Sequence, residues 1–199
     1  MAGRLDGKTV AILATDGVEQ IELLAPRDAL NQEGARTVVI SLKPGEIQGF
    51  DHLTPDKKIP VDKTLESVNA SDYDALLLPG GANNPDQLRT NEQVQQFVRA
   101  FFDAGKPVGA ICHAPWILID AGVADGRVLT SWPTIRTDLK NAGAKVVDQE
   151  VVVDKGLITS RSPKDLPAFN AKLIEEFAEG RHREQAEKAQ QSEQRAPIY

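Results

Sequence analysis

Val108-Gly109-Ala110-Ile111-Cys112-His113-Ala114-Pro115 runs from a short apolar stretch, through small residues, to a thiol, and then straight into a proline suited to a first helical turn. A thiol between a strand and a helix has the setting of a nucleophile elbow, where a strained turn exposes the side chain and small neighbours prevent clashes. Upstream, Asn91 to Ala104 carries Val94, Phe97, Val98, Phe101 and Phe102 on one helical face, with Gly105 as its stop. Before that helix, Asp74 to Pro79 reads as a buried strand ending abruptly at Pro79-Gly80-Gly81. Further back, Thr9 to Ala14 is a continuous apolar run of the kind covered on both faces. Glu19 to Glu33 follows at helical spacing and Thr37 to Leu42 is the next strand, with Pro26 predicting a kink or restart in the helix.

Downstream, Ala114 to Ala121 predicts a short buried helix. Val128 to Thr130 is a short strand, and Ile135 to Ala142 a helix entered through Pro133. Val151 to Thr159 reads as two strands joined at Asp154-Lys155-Gly156. Ser162-Pro163 is expected to cap a helix that continues through Leu166, Phe169, Leu173, Ile174 and Phe177. Residues 43–74 read as a loop with one or two minor strands. Alternating strands and helices predict an α/β fold, an open, mostly parallel sheet with helices on both faces. Residues 1–178 form its single domain. Residues 179–199 are a charged C-terminal extension in which Glu179 to Arg195 has no large apolar residue. It is expected to be a solvated helical extension or a disordered tail, pinned by Ile198 and Tyr199.

Asp16 to Glu22, Pro79 to Gly81 and Cys112-His113 all fall just past a strand's carboxyl end, the edge where such sheets bind ligands. The following helix would favour the Cys112 thiolate and lower its pKa, and the His113 and Gly81 N–H groups are placed to meet a developing oxyanion. A lone cysteine at a strand end also suits plain packing, and adjacency alone does not bring His113 to the sulfur. Glu19 and Glu22 share a helix face, where acids also belong simply to complement the helix dipole. Glu22, set among Ile21, Leu23, Leu24 and Ala25, is a candidate for a buried, protonated acid that donates to the sulfur.

The chain has 199 residues, a net charge of −6, 41% hydrophobic and 26% charged residues, the balance of a soluble globular protein. The acidic balance argues against general nucleic-acid binding, and no apolar run reaches the ~18–20 residues of a membrane span. With no signal-peptide core, the expected location is the cytoplasm. One cysteine excludes an internal disulfide or a multi-cysteine metal site, and His52, His113 and His182 are too scattered to make a good metal set. No phosphate loop or dinucleotide fingerprint is present, so neither cofactor nor metal is expected. Trp116 and Trp132 read as packing residues, Trp132 lying near the pocket mouth, and His52 as exposed.

Asp16-Gly-Val-Glu19-Gln-Ile-Glu22-Leu, Leu78-Pro-Gly-Gly81 and Ala110-Ile-Cys112-His113-Ala-Pro together resemble the ThiJ/PfpI superfamily, most nearly its PfpI-type branch of intracellular protease-like and stress proteins. The order and spacing of these blocks fit from about residue 7 to residue 178. The resemblance implies a flavodoxin-like, class I glutamine amidotransferase-like sandwich. It implies Cys112 as nucleophile with His113 beside it, Glu22 as the acid on the sulfur, Glu19 as the acid one turn earlier, and Gly81 with the His113 backbone as oxyanion donors. Asp86 matches an acid that reaches the histidine from a neighbouring subunit, although Glu is found there in some relatives and one extra residue lies nearby. The partners implied are a second copy of the chain, in a homodimer or larger homo-oligomer, and a small carbonyl, glycated or peptide substrate.

The expected activity is that of a stress-protective cysteine hydrolase or lyase of the deglycase, glyoxalase or peptidase kind. Two other readings compete with it. One is a redox-sensing stress protein or chaperone with an oxidisable Cys112. The other is a glutamine amidotransferase with His182 and Glu184 as late triad partners.

Overall fold

The computed structural model describes residues 3–195, so the anchoring role expected of Ile198 and Tyr199 lies outside the described residues. In chain order the elements are β1 (Thr9–Leu13), β2 (Val18–Glu19), α1 (Gln20–Gln32), β3 (Arg36–Ser41), β4 (Glu46–Asp51), β5 (Thr54–Pro60) and β6 (Lys63–Thr64). Next come β7 (Ala75–Leu78), α2 (Asn83–Arg89), α3 (Glu92–Asp103), β8 (Val108–Ile111), α4 (Pro115–Asp120), β9 (Val128–Leu129) and α5 (Arg136–Asn141). β10 (Lys145–Val146), β11 (Val151–Asp154), β12 (Leu157–Ser160), α6 (Leu166–Glu179) and α7 (Arg183–Arg195) complete them. The central sheet has seven strands in the order β11-β12-β8-β7-β1-β3-β6, parallel throughout except for the antiparallel β11–β12 pair at one edge. This is the α/β architecture expected from the alternation of elements.

Alternate residues of one strand feed two separate cores, which is why β1 reads as an unbroken apolar run. Ala11 and Leu13 pack on one face with Leu76, Leu78, Val108 and Ala110, beneath Phe97, Val98, Phe101 and Phe102 of α3 and Ile117 and Leu118 of α4. Val10 and Ile12 pack on the other face with Leu77 and Ile158, beneath Leu23 and Leu30 of α1 and Phe169, Leu173 and Phe177 of α6. Gly109 has no room for a side chain, because a Cβ there would lie 2.3 Å from Leu173 of the covering helix.

Several local expectations give way. Helix α1 continues through Pro26 without restarting, and the proline ring is buried. The one or two minor strands expected within 43–74 are β4 and β5, but they pair as a hairpin over 46–60, which with β2 forms a separate three-stranded sheet. Its turn carries no glycine; His52 supplies the left-handed conformation instead, at φ 57°. A helix not expected from the sequence, α2, fills 83–89, and its successor α3 is capped by the Asn91 side chain, which accepts from Gln93 and Val94 N–H. Ser162 makes no cap bond; the Asp165 carboxylate accepts from the Arg161 backbone and guanidinium instead. Arg183–Arg195 forms a helix that docks on α3 without large apolar residues. It buries Ala189 in the core and Gln185 completely, with Gln185 Nε2 donating to the Lys106 carbonyl.

Candidate active site

Cys112 sits directly after β8 at φ 65°, a left-handed conformation that costs a side-chain-bearing residue on the order of 1–2 kcal/mol. The surrounding sheet holds it there. Its N–H donates to the Ser160 carbonyl (3.0 Å) and its own carbonyl accepts from Trp132 N–H (2.9 Å). The strained turn aims the sulfur at the His113 ring, with Sγ 3.2 Å from Nδ1, so these neighbours do meet. The backbone N–H groups of Gly81 and His113 also approach the sulfur and hold its pKa down.

Two glycines make room for this sulfur. A Cβ on Gly80 would lie 2.4 Å from Glu22 Oε2, 2.6 Å from Cys112 Cβ and 2.7 Å from the Ile111 carbonyl oxygen. Gly81 has φ +84° and would place a Cβ 2.5 Å from the Gly17 carbonyl oxygen. Behind them Asn84 is fully buried: Oδ1 accepts from Thr15 N–H (2.8 Å) while Nδ2 donates to the carbonyls of Pro79 (2.9 Å) and Gly80 (3.1 Å). Asn84 thus ties the end of β1 to the Gly-Gly turn. An asparagine after a Gly-Gly turn gives no distinctive signal in a sequence.

Glu22 is fully buried, accepts the Gly80 N–H at Oε2 (3.1 Å) and meets the Cys112 thiol. Oε1 has no hydrogen-bond partner among the described residues, a smaller cost for a neutral acid than for a carboxylate. Burial, reinforced by the charge of Glu19, pushes the Glu22 pKa up to about 8, so it holds a proton at neutral pH. Burial also pushes the Cys112 thiol up, with a smaller contribution from a charged Glu22. The expected lowering by the following helix is overridden; α4 has only six residues and Cys112 is buried. Burial lowers the His113 pKa, favouring the neutral imidazole.

The pocket around these groups encloses about 270 Å³ and is lined by Glu19, Glu22, Gly81, Ala82, Cys112, His113 and Trp132, with His52, Leu53 and Pro163 at its rim. Trp132 stacks on His113 (centroids 5.6 Å apart, 23° between planes), and Trp116 packs on the same imidazole (5.5 Å) while donating Nε1–H to Asp138. Glu19, at the end of β2, accepts the His52 N–H (3.0 Å), and burial raises its pKa. Leu53, 92% exposed, stands at the hairpin tip. His52, Leu53 and Pro163 were beyond sequence reasoning, because only the pairing of β2 with β4 brings the hairpin tip over Glu19.

The structure therefore gathers Cys112, His113, Glu22, Glu19 and Gly81 into one pocket. Asp86 is an exposed residue of α2 and does not line that pocket within its own chain. His182 lies at the opposite end of the sheet. Its N–H donates to the Gly105 carbonyl and its ring packs on Gly156, beside the start of β8, whereas Cys112 follows that strand's far end. Four residues of strand, about 13 Å, separate Val108 from Cys112, which overturns a triad role for His182 and with it the amidotransferase reading.

Residues 8–176 match the DJ-1/PfpI family. General stress protein 18 of Bacillus subtilis (strain 168) is 45% identical over 169 residues, covering 84% of this chain and 96% of that protein. Protein/nucleic acid deglycase 2 of Escherichia coli (strain K12) is 44% identical over 169 residues, with the same coverage. The crystal structure of Drosophila melanogaster DJ-1beta superposes with a TM-score of 0.79 at 30% identity, covering 96% of this chain and 99% of that one. Because the matched stretch takes in every strand of the fold and every wall of the pocket, the chain belongs to the DJ-1/PfpI family.

Proposed function

We propose that this protein is a cysteine-dependent enzyme acting on reactive carbonyls or on glycated adducts of amines, with Cys112 as the nucleophile. The observation that carries this reading is the sulfur itself. It is held by a left-handed backbone 3.2 Å from an imidazole nitrogen, faced by two backbone N–H groups and beside an acid that keeps its proton. Relatives named deglycases lend support from outside the chain.

For a 2-oxoaldehyde, the thiol proton passes to neutral His113 as sulfur bonds to the aldehyde carbon. The carbonyl oxygen becomes an alkoxide beside the Gly81 and His113 N–H groups and is then protonated, giving a hemithioacetal. Transfer of the former aldehyde proton to the neighbouring carbon, by way of an enediol, converts the adduct to a thioester of a 2-hydroxy acid. Water cleaves that thioester and restores the thiol. Overall, 2-oxoaldehyde and water give a 2-hydroxy acid; an amine adduct of the aldehyde gives the same acid plus the free amine. Glu22 is the proton donor toward the sulfur, and Glu19 adjusts the charge around it. The site is completed by Asp86 of a neighbouring subunit, which orients His113 in a homo-oligomer, and the protein works in the cytoplasm.

The test is turnover of methylglyoxal and of its thiol and amine adducts by wild type and Cys112→Ala at matched concentration. A wild-type rate that vanishes in the folded variant is expected. Equal rates in the two proteins would overturn the reading. No rate in either protein would overturn it too, and would direct attention to peptide substrates or to peroxide-dependent client holding.

A further inference from the structure

Glu176, Glu179 and His182 form a second chemically loaded cluster, at the end of the sheet remote from Cys112. One ligand atom from each lies within 4.8 Å of the others. Glu176 and Glu179 are three residues apart near the end of α6, and the chain reverses at Gly180 to bring His182 back over them. The Glu176 side chain is nine-tenths buried and, among the described residues, accepts no hydrogen bond, its one ion-pair neighbour being His182. His182 Nε2 is also shielded from solvent and has no hydrogen-bond partner among the described residues, although Glu176 Oε2 lies 3.4 Å away. The imidazole and carboxylate atoms thus face each other at ion-pair distance without a hydrogen bond between them.

The neighbouring charges do not resolve this. Lys155 faces Glu184 (3.7 Å), Arg183 holds Glu187 (2.9 Å) and Lys172 holds Glu175 (2.7 Å). Burial and the charges of Glu179 and Glu175 raise the Glu176 pKa, and only His182 and Lys172 oppose this. A cation between these acids and the imidazole would satisfy all three groups.

We propose that Glu176, Glu179 and His182 form a binding site for a divalent transition cation of the zinc class. One imidazole and two carboxylates suit such an ion better than calcium or magnesium, which prefer oxygen alone. With metal–ligand distances of about 2.0–2.2 Å, neighbouring ligands of a tetrahedral ion are about 3.4 Å apart. Glu176 Oε2 and His182 Nε2 already have that separation. Glu179 is exposed and needs only a side-chain rotation to complete three ligands, leaving the fourth position to water. The His182 N–H donates to Gly105 and its carbonyl accepts from Gln185, so the ion would clip the end of α6 to the turn that launches α7.

The experiment is calorimetric titration of the untagged full chain with Zn²⁺ alone. A Cys112→Ala, His52→Gln background removes the thiol and breaks up the Glu19, Asp51 and His52 group, the other places able to hold zinc. One equivalent should bind, and Glu179→Gln or His182→Gln should each weaken binding at least tenfold while the circular dichroism stays unchanged. Glu179→Gln keeps the test valid should the His182 change undock α7, because Glu179 is exposed. No stoichiometric binding in that double-variant background, unchanged affinity when Glu179→Gln is added to it, or Ca²⁺ binding as tightly as Zn²⁺ would each overturn the proposal. None of these outcomes depends on turnover at Cys112.

Discussion

Replacing Glu22 by glutamine should change how stability varies with pH, in a direction set by burial. The carboxyl ionises near 4.5 in an unfolded chain and at about 8 in the folded one. Below pH 4.5 both states carry the proton and Glu22 has no pH-dependent effect. As pH rises, the unfolded chain gains by ionising while the folded chain cannot, so stability falls until the folded carboxyl also ionises near 8. At about 1.4 kcal/mol per pH unit, this interval amounts to about 5 kcal/mol in full and about 3 kcal/mol by pH 7. Glutamine resembles the protonated acid: its carbonyl can still accept the Gly80 N–H and its amide can still donate toward the sulfur. Urea unfolding of wild type and Glu22→Gln at pH 5, 6, 7 and 8 reads the difference directly, because titrating groups that do not interact with Glu22 cancel and only Glu19 and Cys112 are coupled to it. The variant should gain steadily on wild type with rising pH. Parallel stability curves would refute the reasoning, for they would mean that the folded carboxyl ionises as easily as the unfolded one. Turnover should nevertheless fall by about 100-fold, since an amide cannot pass a proton.

Gly80→Ala should cost roughly 2–4 kcal/mol in chemical denaturation, because its Cβ would overlap the Ile111 carbonyl and Cys112 as well as Glu22; an unchanged midpoint would refute this. Trp132→Ala should expose His113 and let its lowered pKa climb toward 6.5, so the acid limb of the pH–rate profile moves to higher pH. Trp132→Phe should restore the wild-type profile. Cys112→Ala and Asp86→Ala should each be inactive alone yet recover part of the wild-type rate when refolded together, as a site shared between subunits requires. No recovery in the mixture would place Asp86 outside the chemistry.

The sheet was legible because burial on both faces writes continuous apolar runs at β1, β7 and β8, and because Gly105 stops α3 in a recognisable way. The pairing of the 46–60 hairpin was not, since Ile47 and Ile59 are its only buried apolar side chains and its turn relies on a left-handed His52. The docking of helix α7 escaped notice for the opposite reason: alanine and a buried glutamine that donates to the Lys106 carbonyl do the packing usually sought in leucines. Cys112, His113, Glu22 and Gly81 could be found from their places past strand ends. Asn84 and the rim residues could not, because long-range pairing alone gives them a role. The thiol's pKa was misjudged because a sequence displays the helix that follows it and not the burial of the sulfur.

The pocket walls come from stretches scattered between Glu19 and Pro163, each carried by a different element. No excised fragment or half-formed sheet can therefore bring sulfur, imidazole and acid together. During refolding, recovery of activity should trail the return of helical signal, since these distant loops must all close before the last wall is in place. Turnover thus doubles as a reporter of complete folding, more demanding than any spectroscopic measure of secondary structure.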